Sequence, residues 1–230
     1  GMGGNALDLA IVLETAGTHY LDLATMIFRN VCYGCDAVLM SGTDAQKKEI
    51  IPAVVGGKAF FAFSLTEPDA GSDAAAIITR ADREGDTFRI TGTKNFTSGM
   101  PTATHILIAA RTDRSGERHQ GITNFILPAD REGIEWKKLA LLGHRAMGTC
   151  EVHYGGVEAR EDEVLGDIGE GWGALMAYIT TERLCLSAAR TGAAAAALAL
   201  ALDHAKEREQ FGRPIGKFQV VSHMLAEMHT

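Results

Sequence analysis

Apolar residues recur at helical spacing through residues 5–30: Leu9, Val12, Leu13 and Ala16, then Leu21, Leu23, Met26 and Ile27. Positions three and four apart share one face of an α-helix, so the spacing predicts amphipathic helices. Gly17-Thr18-His19 predicts a break between two of them. Thr43-Asp44-Ala45-Gln46 is a capping box, with Thr43 as N-cap and Gln46 reaching back to it. It predicts a short helix to about Val55, closed by Gly56-Gly57 and trimmed by Pro52, whose ring disrupts helix interiors.

From Ala59 the period changes. Segments 59–66, 76–82, 87–91, 105–112, 121–127, 134–139 and 150–155 are short and rich in β-branched or aromatic residues, which predicts strands. Glu84-Gly85-Asp86 and Arg114-Ser115-Gly116 punctuate them as hairpin turns. The absence of interleaved helical patterns argues against βαβ crossovers. Asp162 to Gly173 is rich in Gly and acids but has no GxGxxG or P-loop register, and reads as a linker. From Trp172 to Gln210 the pattern is again helical, about 58 Å if unbroken. Its Ala193–Ala197 run would admit another helix closely; Arg208 and Gly212-Arg213-Pro214 end it, and a second helix begins near Gly216. One long helix with a cut-off partner cannot bury its apolar faces alone, which implies further helices or a partner chain. The predicted fold class is α+β. It comprises a partial N-terminal helical region (1–58), a middle antiparallel β-barrel or sandwich (59–163), and the start of a C-terminal helical bundle (164–230).

Composition narrows the function. At 230 residues and a net charge of −7, the chain lacks the clustered cations of nonspecific nucleic-acid binding. Its four cysteines are no secreted framework. Cys32-Tyr33-Gly34-Cys35 could be half a zinc site or a redox pair, but no second pair exists, and buried free thiols in a helical region are the favoured reading. His105, His144, His153, His204 and His223 are scattered without metal spacing; His144 reads as a loop residue before it reads as a ligand. No basic n-region precedes the first apolar stretch, and Leu184–Leu202 is interrupted by Arg190 and dominated by alanine. Neither a secretory signal nor a membrane span is therefore expected, and the chain reads as cytoplasmic. Gly1-Met2 reads as a cleavage scar followed by a start methionine.

The stretch richest in chemistry runs Phe63-Ser64-Leu65-Thr66-Glu67-Pro68-Asp69-Ala70-Gly71-Ser72-Asp73, then Gly92-Thr93-Lys94-Asn95-Phe96-Thr97-Ser98-Gly99. Each half is a strand that ends in hydroxyl residues and glycine, which present N–H and O–H donors to a planar, anionic or carbonyl-bearing ligand. A third block reads Arg208-Glu209-Gln210-Phe211-Gly212-Arg213-Pro214-Ile215, with Phe218-Gln219 after it. The three blocks, in this order and spacing, closely resemble the acyl-CoA dehydrogenase family, and the resemblance covers essentially the whole chain. Relative to that family, most N-terminal helices and the rest of the bundle are missing.

The resemblance implies FAD as cofactor and α,β-dehydrogenation of an acyl-CoA thioester in fatty-acid metabolism, with an α-proton going to a carboxylate base and a β-hydride to the flavin. It places Phe63, Leu65, Thr66, Gly71 and Ser72 along the flavin, with Ser72 also at the substrate's thioester end. Phe96 matches an aromatic beside the flavin, and Ser98 stands where a threonine commonly donates to it. Arg208, Gln210 and Phe211, with Gln219, match residues that hold the FAD pyrophosphate and adenosine, usually from a neighbouring subunit. Glu182 aligns with the base of the isovaleryl and long-chain branches; other branches take theirs from a later loop. Arg183 matches an arginine that supports the substrate site. The partners implied are an acyl-CoA, electron-transfer flavoprotein or another acceptor, and further copies of the chain as a dimer or tetramer. An acyl-CoA oxidase or enoyl-thioester reductase on the same scaffold is the alternative chemistry, and a non-catalytic binding or assembly module the alternative class.

Overall fold

The computed structural model describes residues 3–230; the reading of Gly1-Met2 lies outside them. The chain forms two compact units, one of residues 1–25 with 184–230 and one of residues 26–183.

In the first unit, α1 (Ala6–His19) starts at a capping box between Asn5 and Asp8. The predicted break at Gly17 falls later, at extended Tyr20, before α2 (Leu21–Arg29). Gly17 stays helical for a packing reason. A Cβ there would strike the Ala189 carbonyl, and one at Gly192 would strike the carbonyl of Glu14. The backbones of two helices thus touch at Gly17 and Gly192, beside rather than within the alanine run that the sequence suggests.

The second unit continues from α2 into a π-helical turn (Asn30–Asp36), α3 (Ala37–Ser41) and α4 (Asp44–Val55). The Thr43–Gln46 capping box forms as expected. Pro52 does not trim α4: it lies exposed in the last turn, and the helix runs on through it to Val55. Cys32 is buried and Cys35 half-buried, and neither is in a disulfide.

Eight strands follow: β1 (Phe61–Ser64), β2 (Arg80–Glu84), β3 (Thr87–Ser98), β4 (His105–Arg111), β5 (Ile122–Pro128), β6 (Ile134–Lys138), β7 (Thr149–Arg160) and β8 (Val164–Leu165). They form one sheet in the order β6-β7-β3-β2-β4-β5-β8, with β1 beside β4. The sheet is not purely antiparallel: β1 runs parallel to β4, and β2 meets β4 in parallel at Arg80–Arg111. Phe88, Ile90, Ile108, Phe125, Leu127 and Val152 lie in its buried core. The predicted linker also carries structure. Val164–Leu165 pairs with β5, and buried Glu163 forms an ion pair with Arg131.

The long helix α5 (Gly171–Glu207) has 37 residues. A small hairpin of β9 (Glu209–Gln210) and β10 (Arg213–Pro214) follows, then α6 (Gln219–His229), which starts three residues later than expected from Gly216. Leu21–Ser41 and Gly171–Glu207 are long and apolar enough to cross a membrane. That holds by length and composition alone, and core helices meet the same measure.

Candidate active site

The carboxyl end of β1 leads into Leu65 and Thr66, both half-buried, and then to Glu67. Glu67 is buried against Lys94 of β3, with Nζ to Oε1 at 2.9 Å, and Lys94 also donates to the Leu65 carbonyl at 2.8 Å. The Glu67 carboxylate accepts the Ile78 and Thr79 amides at 2.7 and 2.9 Å. Burial would raise Glu67, but Lys94 and the donors at Ile78 and Thr79 outweigh it and hold it below the usual carboxylate range. Burial brings Lys94 down to about 8 despite its partner. The Asn95 amide donates to the Thr66 carbonyl at 2.7 Å, so the two motif loops are tied edge to edge. Gly71 and Ser72 lie on an exposed bend beyond the clamp.

β3 is interrupted by a bulge between Lys94 and Thr97. At this bulge Phe96 adopts φ 59° and stays 58% exposed, a conformation and position that cost stability in an ordinary strand. Beside it, the Asn95 Oδ1 is buried without a hydrogen-bond donor. The Thr97 hydroxyl turns inward to Ser64 at 3.1 Å, and the next residue, half-buried Ser98, meets the Thr149 hydroxyl at 2.9 Å.

The helical side is fastened to the same strand end. Arg29 donates to the Phe61 carbonyl, and the Asn30 side-chain oxygen accepts the Phe61 amide at 2.9 Å. Gly99, at φ 80°, makes room for Arg29, since a Cβ there would strike the guanidinium. One turn on, Tyr33 stacks on Phe63 with centroids 4.5 Å apart, and Tyr178 of α5 packs edge-on to Phe63 at 6.1 Å. Tyr33 and Glu182 share a side-chain hydrogen bond, and burial followed by the charge of Glu182 pushes the Tyr33 hydroxyl well up. Burial lowers Arg29 to about 10, with Tyr33 and Glu182 opposing the shift.

The structure thus links Glu182, through Tyr33, to Phe63 and the strand end that continues into Leu65 and Thr66, with Phe96 and Ser98 in the same unit. Exposed Arg183 adjoins Glu182 on α5. Arg208, Gln210, Phe211 and Gln219 belong to the other unit, where all four are exposed; Phe211 is 93% exposed at φ 53°. His144 lies in a loop between β6 and β7, again with positive φ. Sequence reasoning passed over Tyr33, Arg29 and the Lys94–Glu67 pair. The pair's signal was present: two opposite charges inside apolar, strand-forming motifs need each other if the motifs are buried. Tyr33 lies inside the Cys32–Cys35 motif and was masked by the question of the thiols.

Residues 62–157 match the family described as acyl-CoA dehydrogenase, middle domain, and residues 169–230 its C-terminal domain. Among curated proteins, a 3-(aryl)acrylate reductase of Clostridium sporogenes is 37% identical over 84% of this chain and 51% of its own length. The mitochondrial isovaleryl-CoA dehydrogenase of Solanum tuberosum is 36% identical over 87% of this chain and 48% of its own. The structure of butyryl-CoA dehydrogenase from Megasphaera elsdenii superposes with a TM-score of 0.90 at 33% identity, covering 99% of this chain and 60% of that one. The chain spans about half the length of the curated relatives it matches.

Proposed function

We propose that this chain, which belongs to the acyl-CoA dehydrogenase family, carries the base and the flavin-facing surface of an acyl-CoA dehydrogenase. The observation that supports this most directly is Glu182, an acid hydrogen-bonded beside the Tyr33–Phe63 stack at the head of the motif loops. FAD is the cofactor, and the residues present fit it. A bulge that turns Phe96 outward, an unpaired buried acceptor at Asn95 and a hydroxyl at Ser98 suit a planar ring whose edge both donates and accepts hydrogen bonds. When bound, FAD supplies the oxidising ring that receives the β-hydride.

Glu182 takes the α-proton, and the Tyr33 hydrogen bond holds the carboxylate beside Phe63. Leu65, Thr66, Gly71 and Ser72 border the ring and the thioester end, and Arg183 supports the substrate site. Arg208, Gln210, Phe211 and Gln219 hold the pyrophosphate and adenosine of a cofactor seated on a neighbouring copy of the chain; their exposure supports a role directed outward. Electron-transfer flavoprotein or another acceptor would be the partner that takes up the electrons.

A general base typically contributes about 10²–10⁴-fold, so Glu182→Gln is expected to lose at least about 10² in turnover of acyl-CoA. FAD affinity, measured by fluorescence titration, is expected to stay unchanged. Turnover within a few-fold of wild type would remove Glu182 from the role. A second reading is favoured by the 37% identity to a reductase: the same residues would then work in reverse, with Glu182 as proton donor to an unsaturated acyl group. Assaying both directions with one acyl panel separates the two.

A further inference from the structure

Resting on the reading of Glu182 as base, we infer that Tyr33 is its positioning residue: the Tyr33 hydroxyl donates to the Glu182 carboxylate and fixes its orientation beside Phe63. A glutamate has three rotatable bonds, and a base must keep one oxygen within reach of the acidic C–H. A donor held rigidly on the other oxygen restricts the search and stabilises the anion that does the work.

Tyr33 is built for rigidity. It is 3% exposed, and its ring is stacked at an interplanar angle of 24° on Phe63, so the phenol can neither swing away nor exchange its partner for water. It stands on the π-helical turn Asn30–Asp36, a rare geometry that concentrates at functional sites because its wider turn re-aims the side chains it carries. The entry to that turn is fastened twice, since Arg29 and Asn30 take both polar backbone groups of Phe61. Among the groups that face Glu182 are Tyr33, Arg29 and Tyr178. Of these three, Tyr33 is the hydrogen-bond donor; Arg29 acts through its charge, and the Tyr178 hydroxyl has no hydrogen-bond partner. During the reaction the proton passes from the substrate α-carbon to the Glu182 carboxylate, while Tyr33 keeps its own.

The test is a carbon NMR titration of glutamate-labelled full-length chain without cofactor, with the Glu182 carboxyl signal assigned by its loss in Glu182→Gln. Tyr33→Phe keeps the stacked ring and removes only the donor. The Glu182 midpoint is expected to rise by about one unit. In turnover assays kcat is expected to fall by up to about 10²-fold with little change in KM, and the acid limb of the pH profile should move up with the midpoint. A midpoint and limb unchanged in a folded Tyr33→Phe protein overturn the inference. Should that variant not fold, 3-fluorotyrosine at position 33, a stronger donor, is expected to move the midpoint down; no movement again overturns it. Full turnover in Glu182→Gln is a separate failure: it removes the base itself, whatever the midpoint does.

Discussion

At the scale of single residues, the Lys94–Glu67 pair shows how the motif loops are held. Its side chains are 0% and 2% exposed, so neither charge can be left behind without water to receive it. Breaking such a pair from one side typically costs about 3–5 kcal/mol, whereas removing both partners together costs far less. Lys94→Met is therefore expected to lose about that amount in urea melts at neutral pH, and Lys94→Met with Glu67→Gln to recover most of it. The pH dependence distinguishes this from simple cavity or strain effects. In the native chain Glu67 lies below its ordinary range, so its contribution is present above that range and is lost as pH falls through the folded value. Without Lys94, burial is opposed only by the Ile78 and Thr79 donors, so Glu67 sits higher than in the native chain. Stability of Lys94→Met should therefore fall less steeply on acidification than that of the native chain.

Among the elements, the crossing of α1 and α5 sets two opposing effects against each other. Gly→Ala within a helix gains about 1 kcal/mol in propensity, while overpacking costs about 1–3 kcal/mol. At Gly192 the added methyl meets the Glu14 carbonyl, backbone that cannot rotate aside, so the cost wins and Gly192→Ala should lower the melting temperature. At Gly173, on the same helix, nothing lies within 4 Å, so Gly173→Ala should raise it. Opposite signs in one helix are the check. The same crossing shows what could be read in advance. Periodicity and composition revealed the helices, the capping box at Thr43 and most strands, because those features are local. Whether Gly17 breaks a helix or admits a neighbour depends on a residue about 170 positions away, and no local pattern carries that. The parallel pairing of β1 with β4 escaped for the same reason. Likewise, the motif glycines and hydroxyls could be picked out from the sequence as candidates, whereas Tyr33 became meaningful only when its ring met Phe63 and its hydroxyl met Glu182.

For the whole molecule, the proposed division of labour has a consequence for assembly. Phe96 and Ser98, proposed to face the ring, lie in the unit of residues 26–183, and Arg208, Gln210, Phe211 and Gln219 lie in the other. If the second group serves the cofactor of a neighbouring copy, FAD affinity must depend on association, and dilution should release FAD. A charge-assisted Arg–phosphate bond is worth about 1.5–3 kcal/mol, so Arg208→Ala is expected to weaken FAD binding by about one to two orders of magnitude. Phe96→Asp, which sets a charge where the aromatic faces outward, should abolish it independently. Mixing the two variants after dissociation then separates the arrangements. In a mixed dimer one site pairs the intact ring surface of the Arg208→Ala chain with the intact arginine of the Phe96→Asp chain, while the other site inherits both defects. Random pairing of a symmetric dimer should restore about a quarter of the native FAD sites. Restoration of none, with mixed dimers verified by mass, would place both groups of residues around the cofactor of a single chain.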